Sequence, residues 1–270
     1  MAINSLSPKQ SKSALAKEMR VSRSSLYYQP KLPAKDLKLK IDIQQVMVSN
    51  KSYGHKRIAM ELGVNKKRIL RVMKIFCLKP KRIRKQPHKI KDQKQEPMPI
   101  ANLLLDAEIS SPNQVWVSDF TYLPYQGKFV YLATVEDPFT RQVVGWTLSS
   151  RHNTDLVAQG LLNALDKHHA PKIFHSDQGS EYRSQEFLTL LKKFNIKPSM
   201  SAKGSPWQNG YQESFYSQFK LELGHPDCYE TMGELVEAIA LKINYYNTRR
   251  IHTAIKARRQ SLHKDFKLMN

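Results

Sequence analysis

The feature that most constrains this chain is a run of three strand-like segments that begins just after Gln114. Val115–Leu123, Lys128–Val135 and Gln142–Leu148 are rich in β-branched and aromatic residues. Asp137–Arg141 carries turn-forming residues between the last two segments. No helical pattern separates the three segments, so we expect them to pair as an antiparallel meander.

Helical and strand-like segments alternate after the meander. We predict a helix, strand, helix, strand and helix at Thr154–His168, Lys172–Ser176, Gln185–Asn195, Ile196–Met200 and Tyr211–Leu223. Two further strands added in parallel to the meander make a mixed five-stranded sheet with helices on both faces. This is the layout of an α/β ribonuclease-H-like core, which we place at residues 111–224.

Two candidate helix-turn-helix units precede this core. In residues 1–34, Ser22 is suited to cap a second short helix. In a helix-turn-helix that helix enters the major groove, and here it would present Arg23, Ser24 and Ser25. An ordinary helical hairpin is the alternative at this point.

The second unit, residues 35–78, carries a stronger pattern. Gly63 suits a left-handed turn, and Asn65 can cap a helix that runs to Phe76. The start of this helix carries the cations Lys66, Lys67, Arg68 and Arg71, where the helix dipole also favours phosphates. A solvated basic face is the alternative interpretation.

Charge is segregated along the chain. Residues 1–100 contain 25 Lys/Arg and 6 Asp/Glu (+19), residues 101–248 contain 12 and 16 (−4), and residues 249–270 contain 7 and 1 (+6). The linker at 79–110 is basic and proline-rich, and we expect Arg82, Arg84 and Lys85 to contact phosphates there. A helical segment and a basic tail, residues 225–270, follow the core.

Several classes of protein are unlike this sequence. No apolar run reaches the ~18 residues needed to span a bilayer, and Met1–Gln10 lacks the apolar core of a secretory signal. The two cysteines, Cys77 and Cys228, form no CxxC pair. We therefore expect a cytoplasmic, nucleoid-associated protein whose net charge of +21 attracts nucleic acid rather than a membrane.

Three acids occupy positions suited to metal binding. Asp119 interrupts an apolar strand, Asp177 follows the fourth strand, and Glu213 lies near the start of a helix. Each alone could have a structural role, and Glu136, Asp137 and Glu181 are rival acids. Together, three carboxylates suit hard cations such as Mg²⁺ or Mn²⁺. Two ions ~3.5–4 Å apart can serve an in-line phosphoryl displacement, with one carboxylate shared between them.

From Gln114 to about Ile255 the chain resembles the integrase core of DDE transposases of the insertion-sequence-three family, OrfB type. The resemblance is carried by Trp116–Tyr122, Tyr131–Arg141 with Val144–Trp146, His175–Tyr182, Ser199–Pro206 and Asn209–Phe215. The 35 residues 178–212 separate the second and third acids, as in the family pattern. Val21–Tyr28, Tyr53–Arg57 and Arg71–Lys74 resemble the family's helix-turn-helix region.

The resemblance implies specific roles. Asp119, Asp177 and Glu213 would be the catalytic, metal-binding triad for two Mg²⁺ ions, for which Mn²⁺ can substitute. Lys220, two helical turns after Glu213, would contact the transposon end. Arg57 and Arg250 match family positions and are also expected at the DNA; Tyr246, Asn247 and His252 complete a C-terminal pattern without an assigned role.

The resemblance also implies partners. We expect the terminal inverted repeats of an insertion element and a target, both double-stranded DNA, and a homodimer or higher oligomer. Family members are often fused to an upstream-frame product. Two features depart from the family: Gln208-Asn209-Gly210 replaces a usual Asp-Asn-Ala, and a basic segment follows His252 where the family has proline.

The sequence therefore predicts a transposase, a metal-dependent polynucleotidyl transferase that cleaves and joins DNA strands. Two other functions stay open on the sequence alone. One is a domesticated DNA-binding protein with an inactive integrase core. The other is an RNA–DNA hybrid nuclease, which shares the fold.

Overall fold

The computed structural model of the 270-residue chain describes residues 11–27, 32–82, 100–105, 108–202, 210–253, 255 and 257–258. The N-terminal elements are α1 (Lys12–Glu18), a 3-10 helix (Arg23–Tyr27), α2 (Leu32–Ser49), α3 (His55–Leu62) and α4 (Lys66–Ile75). The core elements are β1 (Val115–Tyr125), β2 (Lys128–Asp137), β3 (Gln142–Ser149), α5 (Thr154–Leu165), β4 (Ile173–Ser176), α6 (Ser180–Arg183), α7 (Gln185–Lys193), β5 (Lys197–Met200) and α8 (Gly210–Leu223). The chain continues through α9 (Met232–Thr248) to β6 (Ile251–His252) and β7 (Ala257–Arg258).

The core sheet has the strand order β3-β2-β1-β4-β5. β1, β2 and β3 pair antiparallel, while β4 pairs parallel with both β1 and β5. The meander with two parallel additions confirms the fold class predicted from the order of the segments. α6 is a short helix that the sequence pattern did not predict.

Each face of the sheet buries its own apolar cluster. On one face Trp116 and Phe174 pack with side chains of α5 and α7. On the other face Leu132 packs with Phe215 of α8 and Tyr246 of α9. The helices cover both faces because alternate residues of a strand point to opposite sides, and both sets are apolar here.

The helices α2, α3 and α4 enclose a third cluster, which includes Ile43, Ile58 and Ile69. Gly63 ends α3 at φ +63°, and the Asn65 side chain accepts a hydrogen bond from the Lys67 amide, as predicted. In α2, Leu37 and Ile41 are each 52% exposed, because Leu39 and Ile43 face the other two helices.

The described part of the first helix-turn-helix candidate contains α1 and a 3-10 helix. Ser22 accepts a hydrogen bond from the Ser25 amide at 3.2 Å, as expected for a cap. The segment that follows is a 3-10 helix rather than an α-helix. Ala16 of α1 is buried, whereas Met19 is exposed.

A polar joint connects the N-terminal helices to the core. Ser52 donates a hydrogen bond to the carboxylate of Glu222 on α8 at 2.6 Å, and Arg250 donates to Ser52 at 3.3 Å. Tyr245 of α9 bonds Asn50, and the Ile251 amide donates to the Tyr53 hydroxyl at 2.8 Å. The N-terminal unit is therefore attached to the helix that carries Glu213.

Among the described helices, none is both long enough and apolar enough to cross a membrane.

Candidate active site

Asp119 and Asp177 lie at matching positions on neighbouring strands. β1 and β4 pair in parallel, and their last paired residues are Val117 and His175. Asp119 and Asp177 each follow by two residues, so they leave the paired region side by side. The carboxyl ends of parallel strands are where such sheets place ligand sites. Beyond this point β1 continues next to β2 only, which leaves its other edge open.

The Asp119 carboxylate lies in a half-buried, electrostatically strained position. It accepts one hydrogen bond, from the Phe120 amide at 2.8 Å. Burial, with repulsion from Asp177 and Glu213, raises the pKa of Asp119 from 3.8 to about 7, although the Phe120 bond opposes the shift. The charges of both other predicted acids therefore act on the Asp119 carboxyl.

The Asp177 carboxylate is held by the turn that follows β4. It accepts a hydrogen bond from the Gly179 amide at 3.0 Å. A Cβ at Gly179 would lie 2.9 Å from a Glu181 oxygen and 3.0 Å from an Asp177 oxygen, so a larger residue there would displace the ends of these two side chains. Burial is the main cause that raises the pKa of Asp177; repulsion by Glu181 adds to it, while the Gly179 bond and His152 oppose it.

Glu213 is placed by its neighbours on α8. The fully buried Gln212 donates a hydrogen bond to the Val117 carbonyl at 2.8 Å and accepts one from Thr134 at 2.9 Å. The Tyr216 hydroxyl donates to the Asp119 carbonyl at 2.6 Å. These bonds fix the first turns of α8 against β1 and β2, so that Glu213 is held near Asp119 in the middle of β1.

A histidine and a further acid flank Asp177. Nε2 of His152 lies 3.2 Å from an oxygen of Glu181, which is buried. The His152 ring stacks on Tyr131 at 5.2 Å and lies 4.3 Å from the Phe120 ring. Glu181, a rival acid in the sequence, is thus paired with His152. The other two acids that compete with the triad, Glu136 and Asp137, are also buried. Asp137 caps the turn before β3 by accepting a hydrogen bond from the Phe139 amide.

The donor chemistry of the site suits a hard divalent cation. The three acids offer carboxylate oxygens, and burial with repulsion between the acids raises the pKa of Asp119. Within the described residues, no three His, Cys, Asp or Glu side chains are grouped closely enough to hold one metal ion together. Asp119 instead interacts electrostatically with each of the other two acids.

Lys220 lies two turns after Glu213 on α8. Its ammonium nitrogen is 4.8 Å from the centre of the Tyr122 ring, a cation–π geometry. Burial lowers the pKa of Lys220. This cation lies beside the open edge of β1, near the candidate active site.

The other residues predicted to contact DNA differ in their exposure and in their contacts within the protein. Three cations at the start of α4 are exposed, as are the three residues of the first unit and one linker cation: Lys66, Lys67, Arg68, Arg23, Ser24, Ser25 and Arg82. Arg57 is half-buried, with its guanidinium 5.8 Å from the centre of the Tyr53 ring. Arg84 and Lys85 lie outside the described residues.

Two of the predicted contacts bind other side chains of the protein. Arg71 forms a 2.6 Å ion pair with the buried Asp36 of α2 while its own side chain stays 43% exposed. Arg250 is only 2% exposed and donates to Gln218 at 2.8 Å. The structure does not support the predicted phosphate contact for Arg250, because its guanidinium lies in the joint between the two units.

Sequence reasoning missed the residues that position the acids. Gln212 and Tyr216 flank Glu213 on α8, yet a glutamine and a tyrosine in a helix carry no distinctive signal. Glu181 and His152 are 29 residues apart in the chain and meet only in the fold. The buried Gln212 could have been suspected only from its place beside Glu213.

Comparison with known proteins agrees with this geometry. Two sequence profiles, each described as an integrase core domain, match residues 110–206 and 194–258. The transposase for insertion sequence element IS904 of Lactococcus lactis is 36% identical over 212 residues, covering 75% of this chain and 83% of the relative. The putative transposase InsK for IS150 of Escherichia coli is 31% identical over 253 residues, covering 90% and 89%.

The chain belongs to the insertion-sequence-three family of transposases. InsF, the transposase for IS3A of Escherichia coli, is 38% identical over 132 residues, covering 47% of this chain and 46% of InsF. As a member of the family the protein is a polynucleotidyl transferase that acts on DNA, in transposition and DNA integration. One solved structure, the simian T-cell lymphotropic virus intasome in complex with the PP2A regulatory subunit B56 gamma, shares the fold with a TM-score of 0.52. It is 19% identical and covers 82% of this chain and 74% of that one.

Proposed function

We propose that this transposase binds the ends of an insertion element and performs metal-dependent strand cleavage and strand transfer at Asp119, Asp177 and Glu213. The observation that carries the proposal is the electrostatic coupling of Asp119 to both other acids, at the point where β1 parts from β4. Neighbouring carboxylates raise one another's pKa, and a bound cation would relieve this repulsion.

Asp119 and Asp177 would hold one Mg²⁺ ion and Asp119 and Glu213 a second, and Mn²⁺ suits the same oxygen ligands. Two bound ions supply activation of the attacking oxygen and stabilisation of the leaving oxygen. The protein's own residues orient this site: Gln212 and Tyr216 fix α8, and Gly179 fixes the Asp177 carboxylate.

In cleavage, water attacks the phosphorus and the bond to the leaving oxygen breaks, which hydrolyses the phosphodiester. In strand transfer a 3′ hydroxyl attacks instead, so one phosphodiester bond replaces another. In both steps the attacking oxygen loses a proton and the leaving oxygen takes one up. No covalent enzyme intermediate and no ATP are needed. Lys220 lies on the same face of α8 as Glu213 and suits a phosphate of the element end.

The basic N-terminal unit would hold the DNA. Lys66, Lys67 and Arg68 are exposed at the start of α4, where backbone amides and side-chain cations both favour phosphate. We assign the terminal inverted repeats to this unit and to the linker at 79–110, and the chemistry to the core at 111–224. Two ends have to be brought together with the target, so we expect a dimer or higher oligomer on the DNA of the bacterial nucleoid.

Replacement of Asp177 by asparagine tests the triad. Asp177→Asn keeps the size of the side chain and removes its charge, so we expect strand cleavage and joining to fall by at least about a thousandfold. Binding to the same DNA should change less than about twofold. The assay measures cleavage and joining of a duplex that carries the element end, in Mg²⁺, with Glu186→Gln on the exposed face of α7 as the control.

The outcomes separate the possible functions. Asp177→Asn protein that still cleaves in Mg²⁺ would remove the triad assignment. Wild-type protein that binds the ends but never cuts them would favour a domesticated DNA-binding protein. Cleavage restricted to RNA–DNA hybrids would favour a nuclease.

A further inference from the structure

Four aromatic side chains share one face of the β1–β2 hairpin beside the candidate active site. Tyr122 pairs with Tyr131 across the two strands, and Phe120 and Phe129 lie two residues away on their own strands. Because side chains alternate along a strand, all four point to the same face. We call these four residues the aromatic strip.

The outer half of the aromatic strip is open to solvent. Tyr122 is 58% exposed and Phe129 is 53% exposed. Their rings meet edge to face at 5.3 Å and 78°. The inner half differs, because the ring of His152 lies against both Phe120 and Tyr131. Single exposed apolar residues are common. Two adjacent large rings on neighbouring strands form an exposed apolar patch.

The surroundings of the strip are cationic. The ammonium group of Lys220 lies over the Tyr122 ring at 4.8 Å. Lys128 and Arg151, which directly precede Phe129 and His152 in the chain, are exposed. Aromatic rings interleaved with cations are typical of surfaces that bind single-stranded nucleic acid, where the rings stack on bases and the cations face phosphates.

The strip borders the candidate active site. Phe120 is the residue after Asp119, and its amide holds the Asp119 carboxylate, although the two side chains point to opposite faces of β1. His152, which covers the inner half, is paired with Glu181 next to Asp177. A strand whose bases lie on the strip would therefore have its backbone beside Asp177, at the open edge of β1.

We propose that the aromatic strip is a stacking surface for unpaired nucleotides of the DNA strand that enters the active site. The placement rests on the proposed function, since that function brings a strand to Asp119. Paired bases are already stacked inside a duplex, so the strip selects unpaired ones. Lys220 beside the open rings favours a polyanion over an apolar protein segment.

The test uses the full-length protein without divalent ions, so that binding is measured apart from cleavage. The probes are an oligothymidine of about 20 nucleotides and a duplex of the same length. Their binding is measured by fluorescence anisotropy at physiological salt. Tyr122→Leu combined with Phe129→Leu keeps the apolar volume but removes both rings. Tyr122→Phe keeps the ring, and Phe194→Leu alters a 41% exposed ring at the far end of α7.

We expect the double leucine variant to bind the single strand about tenfold more weakly. Tyr122→Phe and Phe194→Leu should stay within about twofold of the wild type, and so should duplex binding by every variant. In a second measurement, 5-iododeoxyuridine in the single strand should cross-link to Tyr122 or Phe129.

Three results would overturn the proposal: an unchanged single-strand affinity in the double leucine variant, an equal loss for single strand and duplex, or a changed oligomeric state, which would make a second copy the occupant. A failure of the proposed function looks different. The wild type would then bind and cross-link the single strand at the strip, yet cleave no element end in Mg²⁺.

Discussion

At the scale of single residues, Asp119 determines how the site responds to its surroundings. Its carboxylate belongs to an otherwise apolar strand, has one backbone hydrogen bond, and is repelled by two other acids. The fold tolerates this because α8 is fixed by other contacts, chiefly those of Gln212 and Tyr216. The site thus stores unfavourable charge that a bound cation relieves.

This charge predicts a specific dependence of stability on pH. The Asp119 carboxyl ionises near pH 3.8 in the unfolded chain and near pH 7 in the folded protein, so between these values the folded state holds a proton that the unfolded chain has lost. The contribution of Asp119 to stability therefore falls as the pH rises from about 4 to about 7. Asp119→Asn removes this loss, and at pH 8 without divalent ions it should raise Tm by about 3 °C or more.

Thermal unfolding at several pH values checks this prediction. The difference in Tm between Asp119→Asn and wild type should be near zero at pH 4 and grow towards pH 8, whereas Glu237→Gln at an exposed site should show no such trend. Mg²⁺ at pH 8 should stabilise the wild type and leave Asp119→Asn almost unchanged. A difference that is constant with pH would contradict the assignment.

At the scale of elements, the contact between β3 and α5 allows the least change. A Cβ built on Gly145 would lie 2.4 Å from the Gly160 carbonyl oxygen and 2.6 Å from the Ala164 methyl group. A Cβ built on Gly160 would meet its nearest neighbours at 3.8 and 3.9 Å, which are ordinary van der Waals distances. Close approach of the helix to the sheet therefore depends on one glycine of the pair.

Alanine substitutions at these two glycines should have opposite effects. Gly145→Ala forces α5 away from β3 and should lower the free energy of unfolding by about 2 kcal/mol or more. Gly160→Ala should raise it by up to about 1 kcal/mol, because alanine is the better helix former. Denaturant unfolding monitored by circular dichroism measures both, and equal destabilisation by the two variants would contradict this account of the interface.

At the scale of the whole molecule, the N-terminal unit is attached to the core through α8 and the end of α9. Arg250, Ser52 and Glu222 form the centre of this joint, and two of the three are almost fully buried. Arg250 belongs to the C-terminal pattern and was predicted at the DNA, whereas the structure places it in this joint. Asn247 of the same pattern both donates to and accepts from the backbone of Val143, at 2.8 and 2.9 Å, and so anchors α9 to β3.

Removing the charge of Arg250 should weaken the joint. Arg250→Met leaves Glu222 buried without this nearby cation and should lower the free energy of unfolding by about 3 kcal/mol. Adding Glu222→Gln to this variant should restore part of the lost free energy of unfolding, because it removes the buried negative charge of Glu222. Denaturant unfolding of the single and double variants measures the coupling, and strictly additive effects would show that the two residues act independently.

The sequence by itself determined the order of the strands and the family, and it supplied the proposal of the three acids. Those features are local. A sequence alone shows runs of β-branched residues, helix caps such as Asn65 and motifs at a fixed spacing, because none of them depends on what packs against them. It determined less about α2, where Leu37 and Ile41 match a helical pattern but lie on the exposed side. Only the neighbouring helices decide which side of α2 is buried.

The tertiary structure alone decided what surrounds each functional residue. Arg250 is a cation in a basic tail as the sequence presents it, and the fold buries it between two units. His152 and Glu181 are unrelated in the chain, and the fold pairs them beside Asp177. The raised pKa of Asp119 likewise depends on charges that are 58 and 94 residues distant in the chain and that only folding brings within range. Burial and long-range charge are properties of packing, which no local pattern encodes.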